Sequence, residues 1–328
     1  MDPFALRDVT ALGVRTTFVS DPVRREAAIA DVAALATRGV TALRVRVNWS
    51  AVFPAEGRVD ARHLDELNEF VTRVVAMGIE VWPTLCGNRL PGWFLNEGAF
   101  ADAKATERFW PRYVDALADA IGDAASGWVP FETPIALLHE GWRVGSRDPE
   151  IADEAKFADA FGGVVRSLAA AARLLGDARL ECGLDVAHVG ATNEVVTVFR
   201  DALLRGRLEM PGRIARDIAG LERGFAGISL SFPDQAVFAS GDAMRRWRDG
   251  VVKHVFSVAE RFSPLDVSLV GLPDTATDAQ HADLFDAVRS LVAETRDGGA
   301  RLHHVWLGDT SAVAGLVAAL PDGQALDL

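Results

Sequence analysis

Several charged side chains stand where short apolar segments of the sequence end. Glu132 directly follows the segment Trp128–Phe131, and a carboxylate in that position can act as an acid or a base or hold a ligand. The alternative is an outward-facing Glu132 paired with an arginine between strand and helix, because neighbouring residues of a strand alternate sides. Arg89 lies on a predicted loop, and its planar guanidinium can bind an anionic group through two hydrogen bonds or remain solvated.

Other ionisable residues follow segments of the same kind, and they are Asp185, His188, Asp234 and Asp309. Each could line a ligand site, and each is also of a type that caps a helix or a turn. His303 and His304 are adjacent, so a regular strand should direct them to opposite sides. No set of histidines, cysteines and carboxylates has metal-site spacing, and no Gly-x-Ser-x-Gly segment occurs. We therefore expect neither a metal nor another cofactor.

The elements that position these residues follow a repeating pattern, in which a short β-rich run precedes a longer amphipathic stretch. The predicted strands are Ala11–Phe18, Thr41–Asn48, Ile79–Leu85, Trp128–Phe131, Leu180–Val186, Phe225–Phe232, Val267–Gly271 and Leu302–Leu307. Eight such units favour a closed barrel over an open sheet, and no glycine-rich dinucleotide motif follows the first strand. We predict an α/β fold, a (β/α)8 TIM barrel formed as a single domain by residues 1–328. Active sites of such barrels lie at the carboxyl ends of the strands.

The composition and charge of the sequence argue against a nucleic-acid-binding or membrane-spanning protein. Of the 328 residues 49% are hydrophobic, which is enough for a large buried core. The net charge is −12 and the arginines are scattered among acids, so nucleic acid is not an expected partner. No apolar run reaches the length of a membrane span, and no secretory pattern opens the sequence. Two cysteines without motif spacing favour a cytoplasmic location. The oligomeric state stays open.

One segment carries a recognisable combination of residues. From Arg44 to Pro54 the sequence reads RVRVNWSAVFP, and it resembles the second-strand signature of family 1 glycoside hydrolases, with an arginine, a Trp-Ser pair and a Phe-Pro pair at these spacings. Shorter likenesses stand at Thr84-Leu85, Leu90-Pro91, Trp128–Pro134, Gly227-Ile228 and Val305-Trp306. The likeness is dense from Thr41 to Trp142 and thin afterwards. The resemblance implies a barrel that binds glycosides.

The same resemblance suggests roles for individual residues. Arg44 stands where the family has the arginine that supports its nucleophile, and Trp306 stands where the family has the tryptophan on which a sugar ring stacks. We count Asn48 and Thr133 with them as ligand-binding candidates. The expected ligand is a small molecule, such as a glycoside or a polyol.

The departures from the family pattern concern its chemistry. Thr133 stands in place of the acid/base glutamate, Glu132 in place of the preceding asparagine, and Leu269 in place of the nucleophile. Retaining hydrolysis needs two carboxyl groups about 5 Å apart, so we do not expect ordinary β-glycosidase activity. A buried Arg44 without a nucleophile beside it needs another anion, and Glu132 is the obvious candidate.

Three hypotheses follow. The first is a repurposed enzyme, in specialised metabolism, that acts on a small molecule by acid/base chemistry centred on Glu132. The second is a non-catalytic pseudo-glycosidase that holds a carbohydrate or glycoside. The third is a glycosidase with displaced catalytic groups, in which Glu132 works with an acid such as Asp274 or Asp309, and inversion would fit carboxyl groups about 6.5–9.5 Å apart.

Overall fold

The fold is an eight-stranded parallel barrel surrounded by helices, as the sequence predicts. The computed structural model describes residues 10–87, 89–185, 193–221, 224–231, 241–271, 278–300, 302–311 and 313. The barrel strands are β1 (Ala11–Thr17), β2 (Ala42–Arg46), β3 (Glu80–Cys86), β4 (Val129–Phe131), β5 (Glu181–Asp185), β8 (Gly227–Ser231), β9 (Asp266–Val270) and β10 (Leu302–Asp309). Two-residue strands β6 (Arg207–Leu208) and β7 (Arg216–Asp217) form a separate antiparallel pair that the sequence did not predict.

Strand order shows how the barrel closes. The sheet runs β4-β3-β2-β1-β10-β9-β8-β5, and its pairings are parallel. The two end strands meet through a parallel bridge between Trp128 and Leu180, and the Glu181 amide donates to the Trp128 carbonyl over 2.9 Å. β4 and β5 are therefore neighbours, and the close approach of Gly183 to the Glu132 carbonyl extends this contact toward the carboxyl ends of the strands.

Helices cover the outside of the strands. The longer ones are Pro22–Ala36, Ala61–Val75, Ala103–Ile121, Glu154–Leu175, Asn193–Arg205, Gly241–Arg261 and Asp278–Asp297. Shorter turns are the α-helices Trp49–Val52, Gly92–Asn96 and Pro134–Leu138, the 3-10 turns Ala99–Ala101 and Gly122–Ala124, and the π-helical turn His139–Val144. Within the described part of the chain, no helix combines the length and apolar character needed to cross a membrane.

The helix Ala61–Val75 shows how local sequence sets these bounds. The Asp60 side chain caps its first turn by accepting from the His63 amide over 3.0 Å. Gly78, with a φ of +80°, follows its end and turns the chain into β3. The apolar residues Leu67, Phe70 and Val74, three or four apart, are buried against the barrel, as their spacing predicts.

The inside of the barrel differs from the layer outside it. The large apolar cluster includes Leu43, Val81 and Leu269 and lies between strands and helices. A second, small cluster consists of Ala42, Trp82, Val129, Val270 and Trp306 and packs across the barrel interior. Several buried polar or charged side chains also lie on the barrel strands or directly after them, and they include Arg44, Glu132, Glu181, Ser229, Ser268 and His304. Barrel interiors are usually filled by branched aliphatic residues. The buried polar and charged side chains of this barrel are therefore candidates for a functional role.

Candidate active site at the carboxyl end of the barrel

Glu132 stands directly after β4 and its side chain is buried. Its amide donates to the Cys86 carbonyl over 2.9 Å, which continues the pairing of β4 with β3. On the other side β5 approaches so closely that a Cβ added to Gly183 would lie 1.7 Å from the Glu132 carbonyl oxygen. A side chain at position 183 would therefore push this strand end away, and glycine is the residue that allows the approach.

The Glu132 carboxylate is held by arginines from neighbouring strands. Arg46 donates from Nε to Oε2 over 2.6 Å and from Nη2 to Oε1 over 2.8 Å, and Arg15 Nη1 lies 3.6 Å from Oε1. Burial opposes ionisation, yet the Arg46 hydrogen bonds and the charges of Arg46, Arg44 and Arg15 outweigh it, so the pKa of Glu132 is lowered. Glu132 is thus a permanent carboxylate near neutral pH. Its direct partner is Arg46, so the expected direct pairing with Arg44 is wrong.

Arg44 lies deeper, because two residues along a strand correspond to about 6.6 Å. It is fully buried, donates from Nε to Thr84 Oγ1 over 3.2 Å and from Nη2 to Ser229 Oγ over 3.4 Å, and stacks 5.5 Å above the Trp306 ring. Burial lowers its pKa to about 10, against the opposing charges of Glu132 and Glu181. Its cation is retained at neutral pH and adds positive potential beneath Glu132.

Asp185 ends β5, the strand next to Glu132, and is also buried. Its Oδ2 accepts from the Ala136 amide over 3.1 Å, in the first turn of the helix Pro134–Leu138. Burial raises the pKa of Asp185 to about 7; the Ala136 hydrogen bond works against the rise, and the charges of Glu132 and Glu140 add to it. Asp185 can therefore give up or take a proton near neutral pH.

Two carboxyl groups at neighbouring strand ends thus have opposite tendencies. Glu132 stays ionised because arginines surround it, whereas Asp185 is protonated up to about pH 7 because it is desolvated beside that negative charge. Environments that push the pKa values of two acids apart are typical of sites with one proton donor and one charged partner. The arrangement can exchange a proton and stabilise charge on a bound polar molecule.

The remaining residues predicted to line the site take several different positions. Asn48 caps the short helix Trp49–Val52 by accepting from the Ser50 amide, and Asp309 accepts from the amide and hydroxyl of Ser311. Arg89 is exposed, and Thr133 is half-buried at the start of the helix Pro134–Leu138 without a side-chain capping bond. His188 and Asp234, with Asp274, lie outside the described residues.

Trp306 does not form an open stacking platform. Its side chain has no exposed surface and lies inside the barrel, stacked on His304 at 4.5 Å and edge-on to Trp82 at 6.4 Å. A Cβ added to Gly13 would come within 2.3 Å of the ring, so that glycine makes room for the indole. The expected sugar-stacking role is corrected to packing of the barrel interior.

The position of Leu269 also needs correction. Its side chain is buried in the layer between strands and helices, while Ser268 and Val270 on either side face the interior. Alternation along β9 explains this, since side chains two apart share a face. A group acting in the barrel would have to occupy the position of Ser268 or Val270, so Leu269 is not the inward-facing residue.

The two adjacent histidines both point inward, against expectation. His303 Nδ1 lies 3.1 Å and His304 Nδ1 3.2 Å from Glu181 Oε1. The pairing of β10 with β9 explains the departure, because Leu302 and Val305 pair with Val267 and Leu269, which inserts one extra residue into β10. Hydrogen bonds from both histidines overcome the effect of burial and hold the pKa of Glu181 well below its usual range.

Arg15, Arg46 and Glu181 are the site residues that sequence reasoning missed. The signal for Arg46 was present, since Arg46 stands two residues from Arg44 on one predicted strand and therefore shares its face. Glu181 lies at the start of β5, whereas the sequence-based candidates were taken from the carboxyl ends of the strands. Its role depends on contacts with residues 122 and 123 positions away in the sequence.

Comparison with known proteins identifies the family. Residues 25–197, more than half of the chain, match the family described as "Glycosyl hydrolase family 1". The chain belongs to glycosyl hydrolase family 1. Among curated relatives, "Beta-glucosidase 34" of Oryza sativa subsp. japonica is 27% identical over 128 residues, 36% of this chain and 24% of the relative. The "6-phospho-beta-galactosidase" of Clostridium acetobutylicum is 24% identical over 114 residues, 34% of this chain and 24% of the relative. The matches thus span about a quarter of these relatives.

Solved structures share the family 1 barrel over nearly the whole chain. A "beta-glycosidase from Pyrococcus horikoshii" superposes with a TM-score of 0.78 at 14% identity, covering 92% of this chain and 85% of that one. A "Beta-glucosidase from Thermotoga maritima in complex with castanospermine" gives a TM-score of 0.77 at 15% identity and covers 92% and 88%. At these identities the likeness establishes the fold, and the chemistry has to be argued from the residues of this chain.

Proposed function

We propose that this family 1 protein binds a glycoside-like or polyol molecule at the carboxyl end of its barrel and converts it by acid/base chemistry other than ordinary glycoside hydrolysis. The observation that carries the proposal is the pair of buried carboxyl groups, Glu132 and Asp185, with pKa values displaced in opposite directions. In this scheme Asp185 donates a proton to the bound molecule or takes one from it. Glu132 stays ionised and orients the arginines beside it.

The role of Asp185 follows from its protonation. A general acid or base works best when its pKa lies near the working pH, and about 7 meets that condition. Its carboxyl group is anchored by the Ala136 amide, which fixes its position at the end of β5. It also lies at the barrel end where enzymes of this fold place their chemistry.

The role of Glu132 is different because Arg46 binds both of its oxygens. A carboxylate held in this way, with its pKa lowered, is a poor proton donor to a leaving group. It can instead orient Arg46 and Arg15 toward an electron-rich ligand and help to keep Asp185 protonated. Asp185, rather than Glu132, is therefore the proposed proton-transfer group.

The experiment has a binding arm and a conversion arm. Binding of deoxynojirimycin and castanospermine, which are bound in solved Thermotoga maritima relatives, is measured by calorimetry. Conversion is followed by mass spectrometry on a library of glycosides, polyols and lactones, and nitrophenyl glycosides report hydrolysis. We expect no nitrophenol release above background and at least one converted compound, with the rate falling about 100-fold or more in Asp185→Asn.

The outcomes separate the alternatives. Binding without conversion of any compound would favour a non-catalytic carbohydrate-binding protein. Strong nitrophenol release that disappears in Glu132→Gln would favour a glycosidase with displaced catalytic groups. Conversion that is unchanged in Asp185→Asn would refute the assignment of Asp185.

A cytoplasmic setting belongs to the same proposal. It is supported by Cys86 and Cys182, which are both buried and both free thiols, as a reducing compartment would keep them.

A further inference from the structure

A second cluster of ionisable side chains lies at the opposite, amino end of the barrel. Glu181 opens β5, and His303 and His304 stand near the start of β10. Glu181 Oε1 lies 3.1 Å from His303 Nδ1 and 3.2 Å from His304 Nδ1, and the three atoms are all within 4.8 Å of one another. Neither Glu132 nor Asp185 belongs to this cluster, which the proposed reaction does not use.

We propose that Glu181, His303 and His304 form a binding site for a divalent transition-metal ion, with Zn²⁺ as its occupant. Two imidazole nitrogens and one carboxylate oxygen are a ligand set that zinc accepts, with a water as the fourth ligand. At metal–ligand distances of about 2.0–2.1 Å and tetrahedral angles, neighbouring ligand atoms lie about 3.3–3.4 Å apart. Both Nδ1–Oε1 separations are close to that value, and all three ligand atoms lie within 4.8 Å of one another, so rotation of the side chains would admit the ion.

The far side of His304 supports the same conclusion. Its Nε2 is buried and has no hydrogen-bond partner among the described residues, and it lies 3.8 Å from Glu80 Oε2. If Nδ1 carries the only proton and donates it to Glu181, the bare Nε2 faces a carboxylate, and two acceptors oppose each other. A metal on Nδ1 would leave the proton on Nε2, directed at Glu80. That is the carboxylate–histidine–metal arrangement common around zinc.

The surroundings hold the ligands in place. Ser229 Oγ donates to Glu181 Oε2 over 2.5 Å, and Ser268 Oγ donates to Oε1 over 2.8 Å, which orients the carboxylate. The Trp82 ring packs edge-on against both imidazoles, at 5.6 Å for His303 and 4.8 Å for His304. His303 retains a small exposed fraction and gives an ion access from solvent. The bound ion would connect β5 to β10 across the two strands between them and would thereby stabilise the barrel.

The test uses the full-length protein after dialysis against a chelator. Zn²⁺ binding is measured by calorimetry, and Co²⁺ is added as a spectroscopic probe whose visible absorption reports coordination by nitrogen and oxygen. We expect one Zn²⁺ per chain and a rise of several degrees in the unfolding temperature when zinc is in excess. No readout depends on enzyme activity, so failure here leaves the proposed function untouched.

Three variants distinguish metal binding from a plain hydrogen-bond network. His303→Asn keeps a donor for Glu181 but loses an imidazole ligand, and should weaken zinc binding by about 100-fold or more. Glu80→Gln removes the negative charge that faces Nε2 of His304 and should weaken zinc binding by about 10–100-fold. His254→Asn removes an exposed imidazole from the helix Gly241–Arg261 and should change nothing.

Two results would overturn the proposal. One is zinc binding that is absent in the wild type or equally strong in His303→Asn. The other is a nitrogen NMR spectrum in which His304 carries protons on both nitrogens and stays so when zinc is added, because an imidazolium would then satisfy Glu181 and Glu80 without a metal.

Discussion

Replacing Asp185 with asparagine should make the protein more stable above pH 7 and leave its stability near pH 4 almost unchanged. Asparagine has nearly the same shape, and its side-chain oxygen can still accept the hydrogen bond from the Ala136 amide. What it removes is an ionisable group that the fold buries. The effect on the free energy of unfolding should therefore depend on pH.

The magnitude follows from the pKa of Asp185, which burial raises from the ordinary 3.8 to about 7. Between these values the unfolded chain has lost the proton and the folded chain keeps it, so wild-type stability falls as the pH rises. The slope is about 1.4 kcal/mol per pH unit over about three pH units, so the loss reaches at most about 4 kcal/mol and stays constant above about pH 8. The Asp185→Asn variant has no ionisable group at this position, so its free energy of unfolding does not fall in this way as the pH rises.

Urea denaturation at half-unit steps from pH 4 to pH 9 measures the difference between the two proteins. Asp115→Asn, on an exposed position of the helix Ala103–Ile121, is the matched control, because it removes one negative charge from the same acidic chain without removing a buried group. The stability gained by Asp185→Asn, corrected by this control, should grow from about zero at pH 4 to a plateau near pH 8.

A constant difference across this range would refute the reasoning, because it would mean that Asp185 ionises alike in the folded and unfolded chains. A difference that shrinks toward high pH would refute it as well. It would show that the folded protein prefers the ionised carboxylate, and the acid/base role proposed for Asp185 would fall with it.

Three further substitutions test the geometry. Glu132→Gln should lower the pKa of Asp185 in a carbon NMR titration, since it removes a charge that raises this pKa. The same substitution should cost about 2–3 kcal/mol in urea denaturation, because the ionic hydrogen bonds between Arg46 and the Glu132 carboxylate are lost. An unmoved pKa of Asp185 would contradict the coupling between the two carboxyl groups. Gly183→Ala should destabilise the protein by more than about 3 kcal/mol or prevent folding, because the alanine Cβ would clash with the Glu132 carbonyl oxygen. Wild-type stability of this variant would show that β5 does not approach Glu132 so closely. Leu269→Glu should lower the free energy of unfolding by several kcal/mol in the same assay, because it buries an unpaired carboxylate in an apolar layer. Wild-type stability of this variant would show that the side chain at position 269 is not buried there.

Much of the fold was predictable from local sequence. All eight barrel strands were predicted within two residues of their observed ends, because each is a short β-rich run followed by a longer amphipathic stretch. The barrel followed from their number and order, and Glu132 stood out because a likeness to a known family drew attention to its segment. These inferences depend on patterns within about ten residues of chain, which a sequence displays directly.

Only the tertiary structure decided which groups meet. Arg46 rather than Arg44 binds Glu132 because side chains two apart on a strand differ in height along the barrel axis, and the height of Glu132 depends on how β4 packs against β5. Leu269 faces the helices because the alternation of β9 is set by what its neighbours bury.

The chemistry of the site was likewise beyond the sequence. The pKa of Asp185 is raised by loss of water, which depends on everything packed around it. His303 and His304 converge on Glu181 because one extra residue in β10 cancels the alternation that adjacent strand residues otherwise obey. A sequence names the ionisable groups and their order, whereas burial and strand register decide their charge and their partners.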